Sequence, residues 1–400
     1  MDEDYSKPNI IIDNGSAYTK AGLGGEEGPR SVFPTCIAFS KIHEQEYKRI
    51  GFDYVNVFPG NTSNYQNRIF GYEAESKKHY RNFYGYNYPI DHGVIQNWDD
   101  MEKIWQYVFT NELRVDPEEH NVMLTESISN PKENKEKMAQ IMFETFNVRG
   151  LYIAFQPVLS FYKEGGDTGV SIDLGYEISQ FVPIFDGFPL SNAIVLQNLG
   201  GKDLTEYMRI LLKRYEDYFK KNNERDFVSE IKERSCYVAL DLEEELNYVE
   251  SYKYELPDKN KIIVKEERIK CPEVLFDPSI IGKNEKNAYG IGQACYFSIQ
   301  KCDFDLRKEL FNCIYISGGT SMLNGLKERL TKEIKDLAPE SRKEEIKEID
   351  SFDGKFATWV GGSILSSQST FESSWITKQE YEDMGATILH RKCMSMQKLY

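Results

Sequence analysis

Residues 9–23 read NIIIDNGSAYTKAGL, and this stretch decides the fold. Two β-prone runs flank an Asp-Asn-Gly-Ser segment that begins at Asp13, and these four residue types favour a tight turn. The pattern returns in residues 169–182, which read GVSIDLGYEISQFV and carry the corresponding aspartate at Asp173. Each copy predicts a β-hairpin with an Asp-x-Gly turn. Two such hairpins indicate an internal duplication, and two similar lobes are the expected result.

A third turn follows a different strand. Residues 313–320 read CIYISGGT and predict a buried strand that ends in a glycine turn, with an amphipathic helix beginning at Leu326. Residues 359–365 read WVGGSIL, and the paired glycines suggest that the backbone packs closely against a neighbouring element there.

Apolar stripes at helical spacing predict helices within residues 99–113, 134–146 and 231–240. Residues 43–67 are polar and rich in asparagine and tyrosine, and we interpret them as a long exposed loop. Strands that alternate with helices in this way give an α/β architecture.

Composition restricts the possible classes of function. The chain has 400 residues. A domain with a single hydrophobic core is usually shorter than this, so two or more lobes are expected. Its formal net charge is −15, and so acidic a chain should be repelled by phosphate backbones and anionic lipid. No apolar run is long enough to span a membrane, and residues 1–8 are polar and acidic, unlike a signal peptide. Direct binding to nucleic acid and insertion into a membrane are therefore not expected.

Cysteine and histidine usage argues against a zinc site. The seven cysteines are odd in number and include no Cys-x-x-Cys pair, and the five histidines are scattered. This usage favours free thiols in a reducing compartment, the cytosol or the nucleus, over disulfides or bound zinc.

The residues of the three turns suit a phosphate ligand. A glycine lets the backbone approach an anion closely, successive N–H groups can point at it, and Ser16 adds a hydroxyl donor. Lys20, on the strand that leaves the first turn, can place its ammonium near the same phosphates. Asp13 would reach Mg²⁺ through its waters, and Asp173 would meet the ion from the other lobe. Taken alone, each Asp-x-Gly segment is more often an ordinary turn former than a binding site.

At these residues the sequence resembles actin, and the resemblance extends over nearly the whole chain. The first turn with Lys20 looks like the first phosphate loop of that family. Further motifs similar to those of actins lie in residues 88–102, 130–132, 142–146, 317–320 and 375–393.

The resemblance implies an α/β fold of the actin/Hsp70/hexokinase type, with two lobes and four subdomains around a central nucleotide cleft. Residues 1–155 and 355–400 would form the first lobe, with residues 36–87 as its smaller subdomain. Residues 156–354 would form the second lobe, with residues 200–290 as its smaller subdomain.

The resemblance also implies ATP or ADP with Mg²⁺ or Ca²⁺ as ligands. Asp13 and Asp173 would carry the hydrated cation. The residues expected around the phosphates are Gly15, Ser16, Ala17, Tyr18, Lys20 and Gly175. Those expected around the ribose and adenine are Gly201, Lys232, Glu233, Gly319, Thr320, Met322 and Lys355. Gln156 occupies the slot that positions the attacking water in actins, although a residue before Pro157 at a helix start can also be a simple cap.

The second turn departs from the family pattern. Where actins carry Asp and Gly, this chain has Tyr176 and Glu177, and Gln180 replaces a histidine near the lytic water. Glu177 must point away from the phosphates, or triphosphate binding is weakened by like charge. Gln180 can hydrogen-bond a water but cannot take its proton, and it can equally be an ordinary strand residue. We therefore expect slow or absent hydrolysis, and a possible preference for ADP or an empty cleft.

The surfaces that receive neighbours and binding proteins in actins are altered as well. Tyr162, Phe188 and Leu365 fit the pattern of the partner cleft, whereas Gln368 and Ser374 replace apolar residues. These changes favour a nucleotide-gated subunit of a cytoskeletal, motor-associated or other assembly, with actin-like, actin-binding or motor-complex proteins as partners. A divergent actin that polymerises and hydrolyses ATP is the alternative, and a small-molecule kinase of the same fold is a remote one. The expected location is the cytoplasm and cytoskeleton, with the axoneme or nucleus as further options.

Overall fold

The computed structural model describes residues 7–40, 68–76, 84–216, 224–256, 259–283, 288–349 and 354–393. The loop predicted over residues 43–67 lies outside these ranges. The strands within them are, in chain order, β1 (Ile10–Asn14), β2 (Tyr18–Leu23), β3 (Ser31–Pro34), β4 (Ile37–Ser40), β5 (Arg68–Phe70), β6 (Tyr84–Asn87), β7 (Ile90–Asp91), β8 (Val94–Ile95), β9 (Asn121–Glu126), β10 (Gly150–Phe155), β11 (Gly169–Leu174), β12 (Ser179–Phe185), β13 (Phe188–Pro189), β14 (Val195–Gln197), β15 (Tyr252–Glu255), β16 (Lys261–Val264), β17 (Ile314–Ser317) and β18 (Ile376–Thr377).

Helices separate these strands. The α-helices are α1 (Gly71–Ser76), α2 (Trp98–Tyr107), α3 (Lys132–Gln140), α4 (Gln156–Lys163), α5 (Gly201–Leu211), α6 (Glu224–Ser235), α7 (Leu242–Leu246), α8 (Glu267–Lys270), α9 (Ile291–Gln300), α10 (Arg307–Asn312), α11 (Leu326–Leu337), α12 (Ala357–Ser366), α13 (Lys378–Met384) and α14 (Thr387–Lys392). The mixture of helices with parallel and antiparallel strands confirms the α/β class.

The chain divides into two units. The first comprises Met1–Glu126, Asn130–Ile153 and Ser374–Lys392, and the second comprises Ser127–Ser129, Ala154–Ser373 and Cys393–Tyr400.

The first unit is built around a six-stranded sheet with the order β18-β10-β9-β1-β2-β3. Strands β1 and β2 form the first predicted hairpin, with Asp13 opposite Lys20 in an antiparallel ladder. Strand β9 lies parallel to β1 on its other side. All five residues of β1 are buried, as expected for a central strand covered on both faces. The fully buried Trp105 of α2 donates its indole N–H to the Asn14 side chain at 3.0 Å, which ties the hairpin to the core.

The second unit repeats this arrangement. Its main sheet has the order β13-β12-β11-β17, and β14 pairs with β12. Strands β11 and β12 form the second predicted hairpin, with Asp173 opposite Gln180. Strand β17 lies parallel to β11 on its other side. Both predicted hairpins are thus confirmed, and each is flanked by a parallel strand that the hairpin pattern alone does not reveal.

Gly361, the first of the paired glycines in α12, packs closely against a neighbouring helix, as predicted. A Cβ atom on Gly361 would collide with the carbonyl oxygen of Leu159, so α12 and α4 approach closely at this point. The hydroxyls of Ser160 and Thr358 lie 2.8 Å apart at the same contact. Only glycine permits this separation of the two helix backbones.

The predicted helices vary in accuracy at their ends. Helix α11 begins at Leu326, as predicted. The stretches 99–113 and 134–146 are helical, but each finishes in a π-helical turn, Val108–Leu113 and Ile141–Thr145. The helix predicted over 231–240 is wrong in its second half, because α6 ends at Ser235. The Val238 N–H donates to the Asn324 carbonyl at 2.8 Å, and this pairing draws the chain out of the helix.

No helix among the described residues has the length and apolar character needed to cross a membrane. The seven cysteines all carry free thiols, six of them buried and Cys313 half-buried.

Candidate functional site

Asp13 lies at the end of β1 with both carboxylate oxygens engaged. The Lys20 ammonium is 2.6 Å from its Oδ2 atom, and the Thr125 hydroxyl donates to its Oδ1 atom at 2.7 Å. The antiparallel register sets Lys20 opposite Asp13, and β9 brings Thr125 alongside. The Asp13 side chain is only 2 % exposed, and its two oxygens are matched by an ammonium and a hydroxyl donor.

The first turn places backbone groups beside this aspartate. The Gly15 N–H donates to the Tyr18 carbonyl at 3.2 Å, and the Thr35 hydroxyl donates to the Gly15 carbonyl at 2.8 Å. A Cβ atom on Gly15 would lie 2.7 Å from the Tyr18 oxygen, so the turn requires glycine. The Ser16 hydroxyl accepts from the Gly93 N–H at 3.3 Å, and the Ala17 carbonyl accepts from the Thr35 N–H at 2.9 Å.

Asp173 has the equivalent place at the end of β11. The Gln180 amide donates from Nε2 to Asp173 Oδ2 at 3.0 Å, and the Ser317 hydroxyl lies 3.5 Å from its Oδ1 atom. Gln180 is fully buried. Its Oε1 atom accepts from the Ser127 hydroxyl at 2.9 Å and from the Ile128 N–H at 3.0 Å. The Gln180 side chain is therefore buried, and its amide is hydrogen-bonded through both Oε1 and Nε2.

The second turn has the same backbone geometry as the first. The Gly175 N–H donates to the Ile178 carbonyl at 3.0 Å, and a Cβ atom on Gly175 would lie 2.9 Å from that oxygen. The Thr320 hydroxyl donates to the Gly175 carbonyl at 2.9 Å, as the Thr35 hydroxyl does to Gly15.

The two unusual residues of this turn differ in exposure. Tyr176 is 37 % exposed, whereas Glu177 is 7 % exposed. The Glu177 carboxylate is 2.8 Å from the Lys202 ammonium. The Lys202 N–H also donates to the Tyr176 carbonyl at 2.7 Å. The turn is therefore tied to the start of α5 by a backbone bond and by an ion pair.

Part of the predicted nucleoside set converges around Gly201. The Gly201 N–H donates to the Gly175 carbonyl at 3.1 Å, and the Gly201 carbonyl accepts from the Lys232 ammonium at 3.1 Å. A Cβ atom on Gly201 would meet the Thr320 hydroxyl at 3.1 Å. Burial lowers the pKa of the Lys232 ammonium, which also donates to the Thr205 hydroxyl at 3.0 Å.

The remaining predicted residues of this set lie at the surface. Gly319 is exposed, and an added Cβ atom would meet nothing. Met322 is 54 % exposed. The Glu233 carboxylate accepts from the Ser229 hydroxyl at 3.0 Å, and the Lys355 ammonium lies 5.7 Å from the Phe356 ring. The Glu233 carboxylate also lies 4.0 Å from the Lys232 ammonium of the Gly201 group.

Gln156 is the first residue of α4. Its carbonyl accepts from the Ser160 hydroxyl at 3.0 Å, an ordinary contact of a first helical turn. Its side chain is half-buried.

The predicted partner-cleft residues do not share one environment. Tyr162, Phe188, Gln368 and Ser374 are each partly exposed. Leu365 is fully buried within α12, so it offers no surface to a partner in this conformation. The neighbouring Ile364 is 41 % exposed and presents apolar surface instead.

Several residues that hold the two aspartates were not anticipated from the sequence. Thr125 directly follows the apolar residues of β9, and Ser317 is the last residue of β17. A hydroxyl residue directly after an apolar, β-prone run is the signal that could have identified both. Ser127, which contacts Gln180, and Lys202, which pairs with Glu177, have no comparable signal, because their partners depend on the tertiary fold.

These residues fit a phosphate ligand with a divalent cation. Each of the two units offers a nearly buried carboxylate held by donors, beside a glycine turn, and the first adds the Lys20 ammonium. Two α/β units, each with an aspartate at the end of a β-hairpin and a parallel neighbouring strand, define the class of two-lobed nucleotide-binding proteins.

The chain belongs to the actin family, because the family model described as Actin matches residues 5–394. Members of this family generally bind an adenine nucleotide with a divalent cation. The chain is accordingly an actin-like nucleotide-binding protein.

Proposed function

We propose that the protein is a nucleotide-gated structural subunit of a cytoskeletal, motor-associated or other multiprotein assembly. It binds ATP or ADP with Mg²⁺ or Ca²⁺ and hydrolyses ATP slowly or not at all. Asp13 and Asp173 carry the hydrated cation in this proposal, and Lys20 with the two glycine turns holds the phosphates.

The buried Gln180 amide carries the proposal of slow hydrolysis. An attacking water must lose a proton, and an amide cannot accept one. The Gln180 oxygen already accepts two hydrogen bonds, and its Nε2 atom donates to Asp173. Since the side chain is also fully buried, it has neither the chemistry nor the access to act on a water molecule.

The Glu177–Lys202 pair supports retained binding of a charged nucleotide. Sequence alone left open whether the Glu177 carboxylate faces the phosphates as an uncompensated charge. Its 2.8 Å contact with the Lys202 ammonium compensates that charge locally. The second turn therefore presents a neutral pair rather than an isolated anion.

The partner-cleft residues support a dedicated subunit over a filament former. Gln368 and Ser374 are polar, and Leu365 is buried. A partner loses about 25 cal/mol for each Å² of apolar surface that it cannot bury. The proposed partners are other proteins, actin-like, actin-binding or motor-complex proteins, in the cytoplasm and cytoskeleton, the axoneme or the nucleus.

Hydrolysis is tested by loading the full-length protein with ATP and Mg²⁺ and following phosphate release, with conventional actin measured in parallel. We expect nucleotide to bind and phosphate release to be at least tenfold slower than that of the actin control, on the scale that a missing proton acceptor costs. Release at the rate of conventional actin contradicts the slow-hydrolysis proposal.

Assembly is tested by sedimentation after addition of salt and Mg²⁺. We expect the protein to stay in the supernatant at concentrations at which conventional actin pellets. Pelleting above a critical concentration favours the alternative of a divergent polymerising actin. Tagging the protein in its own cells and identifying co-purified proteins then names the assembly.

A further inference from the structure

Gln180 is the link between Ser127 and Asp173 in a chain of hydrogen bonds that begins at Ser129. The Ser129 N–H lies 3.3 Å from the Ser127 hydroxyl oxygen, and that hydroxyl lies 2.9 Å from Gln180 Oε1. The Gln180 Nε2 atom in turn lies 3.0 Å from Asp173 Oδ2. Ser127–Ser129 belong to the second unit although the residues on either side belong to the first.

The direction of this chain is fixed by an obligatory donor. The Ile128 backbone N–H can only donate, and it lies 3.0 Å from Gln180 Oε1. The opposite orientation of the amide would set its NH₂ group against this N–H. The NH₂ group must therefore face Asp173 and donate to its Oδ2 atom, which fixes the orientation of that carboxylate.

The first hairpin places a hydrogen-bond donor at the same ladder position. Lys20 stands opposite Asp13 and donates to its Oδ2 atom, just as Gln180 stands opposite Asp173 and donates to its Oδ2 atom. Mutation of a partner that orients a metal-binding carboxylate typically lowers metal affinity by about 10- to 100-fold.

We propose that Gln180 is a positioning residue for the divalent cation: it holds the Asp173 carboxylate through the amide that Ser127 and Ile128 orient. This inference rests on the proposed binding of a cation–nucleotide complex. It assigns to Gln180 a role in cation affinity, separate from the chemical step of hydrolysis.

The test measures Ca²⁺ affinity of the full-length ATP-loaded protein by competition with a fluorescent chelator. Gln180→Met keeps an unbranched side chain without the amide, and we expect about a tenfold loss of Ca²⁺ affinity. Gln180→His can donate one ring N–H and accept at the other nitrogen, so we expect affinity within about threefold of wild type. Ser127→Ala keeps the Ile128 donor, and we expect a loss of about threefold.

Ser179→Ala is the matched control. Ser179 is the neighbouring buried residue of β12, and its hydroxyl donates to the Leu199 carbonyl at 2.6 Å rather than to Asp173. We expect this variant to lower the thermal unfolding temperature without changing Ca²⁺ affinity. The thermal unfolding of every cation-free variant is recorded alongside, and if Gln180→Met does not fold, Ser127→Ala and Gln180→His decide the matter.

The outcomes distinguish the positioning role of Gln180 from the proposed binding of a cation–nucleotide complex. If wild type binds ATP and Ca²⁺ but Gln180→Met or Ser127→Ala binds Ca²⁺ equally well, the positioning role is wrong and the proposed function stands. If wild type itself shows no cation-dependent ATP binding, the proposed function fails and this inference fails with it.

Discussion

The two hairpins hold equivalent aspartates with different chemistry. Asp13 is bound by the Lys20 ammonium at 2.6 Å, and Asp173 is bound by the neutral Gln180 amide at 3.0 Å. In each case the second carboxylate oxygen faces a hydroxyl on the parallel neighbouring strand, that of Thr125 at 2.7 Å or Ser317 at 3.5 Å. The arrangement of the strands around the aspartate is duplicated, but the positive charge of Lys20 has no counterpart at Gln180.

This difference separates two tasks that a phosphate site must perform. The first hairpin supplies a positive charge, which suits contact with phosphate. The second hairpin contributes no cation at the ladder position and instead immobilises its carboxylate by a buried network. The comparison predicts that changes in the first hairpin act mainly through charge, and that changes in the second act mainly through geometry.

The largest effect is expected from Lys20→Met. Removing one partner of a nearly buried ion pair leaves Asp13 with much less compensation, and we expect the free energy of unfolding to fall by about 3 kcal/mol. Nucleotide binding should be lost as well, because the ammonium contacts the phosphates in the proposed site. Urea unfolding and titration with a fluorescent ATP analogue measure the two effects.

Gln180→Met provides the contrast in the second hairpin. It removes a neutral hydrogen-bonding group, so the free energy of unfolding should fall by about 1–2 kcal/mol. Equal losses for the two variants would show that the charge of Lys20 is not what distinguishes the hairpins.

The second prediction concerns the two turn glycines. A Cβ atom would lie 2.7 Å from a backbone oxygen at Gly15 and 2.9 Å at Gly175. Gly15→Ala and Gly175→Ala should each lower the free energy of unfolding by about 2 kcal/mol, with Gly15→Ala the more severe.

Gly28→Ala is the matched control for these variants, since an added Cβ atom there would meet nothing within 4 Å. Its unfolding free energy should stay within about 0.5 kcal/mol of wild type. If Gly28→Ala lowers the free energy of unfolding as much as Gly15→Ala does, the effect at Gly15 does not come from the geometry of its turn.

The hairpins could be predicted from sequence because their signals are local. Turn residues between β-prone runs specify a hairpin within about fifteen residues of chain. The close packing of α12 could likewise be predicted from its glycines, because a residue without a Cβ atom lets another backbone approach closely.

What could not be predicted depends on partners that are distant in sequence. The direction of Glu177 is set by Lys202, 25 residues away, and the end of α6 is set by pairing with Asn324. The burial of Leu365 follows from how α12 packs. The hydrogen bonds of Gln180 depend on Ser127 and Ile128, which lie 53 and 52 residues earlier in the chain. The sequence around residue 180 does not predict these partners.

The third prediction compares the hydroxyls beside the two aspartates. The Thr125 hydroxyl donates to Asp13 at 2.7 Å and also accepts from the buried Asn14 N–H at 3.0 Å. Thr125→Val keeps the shape of the side chain but removes both bonds, and we expect a loss of about 1.5 kcal/mol in unfolding free energy.

Ser317→Ala should cost less than about 0.5 kcal/mol, because its hydroxyl lies 3.5 Å from both of its acceptors, at the limit of a hydrogen bond. Chemical denaturation of the two variants side by side checks the ranking. A larger loss for Ser317→Ala than for Thr125→Val would contradict the ranking by hydrogen-bond length.

The smallest effect is expected at the Glu177–Lys202 pair, which has no counterpart in the first turn. Lys202 is 40 % exposed, so solvent screens much of its charge. Lys202→Met should weaken ATP binding relative to ADP binding by about threefold, because the Glu177 carboxylate then repels the additional phosphate charge. Lys202→Arg should leave the ratio unchanged, and Lys202→Met combined with Glu177→Gln should restore it. The measurement is the ratio of the dissociation constants for ATP and ADP at low and at high salt. If the effect of Lys202→Met on this ratio is equally large at high salt, Lys202 acts through the backbone of α5 and not through its charge.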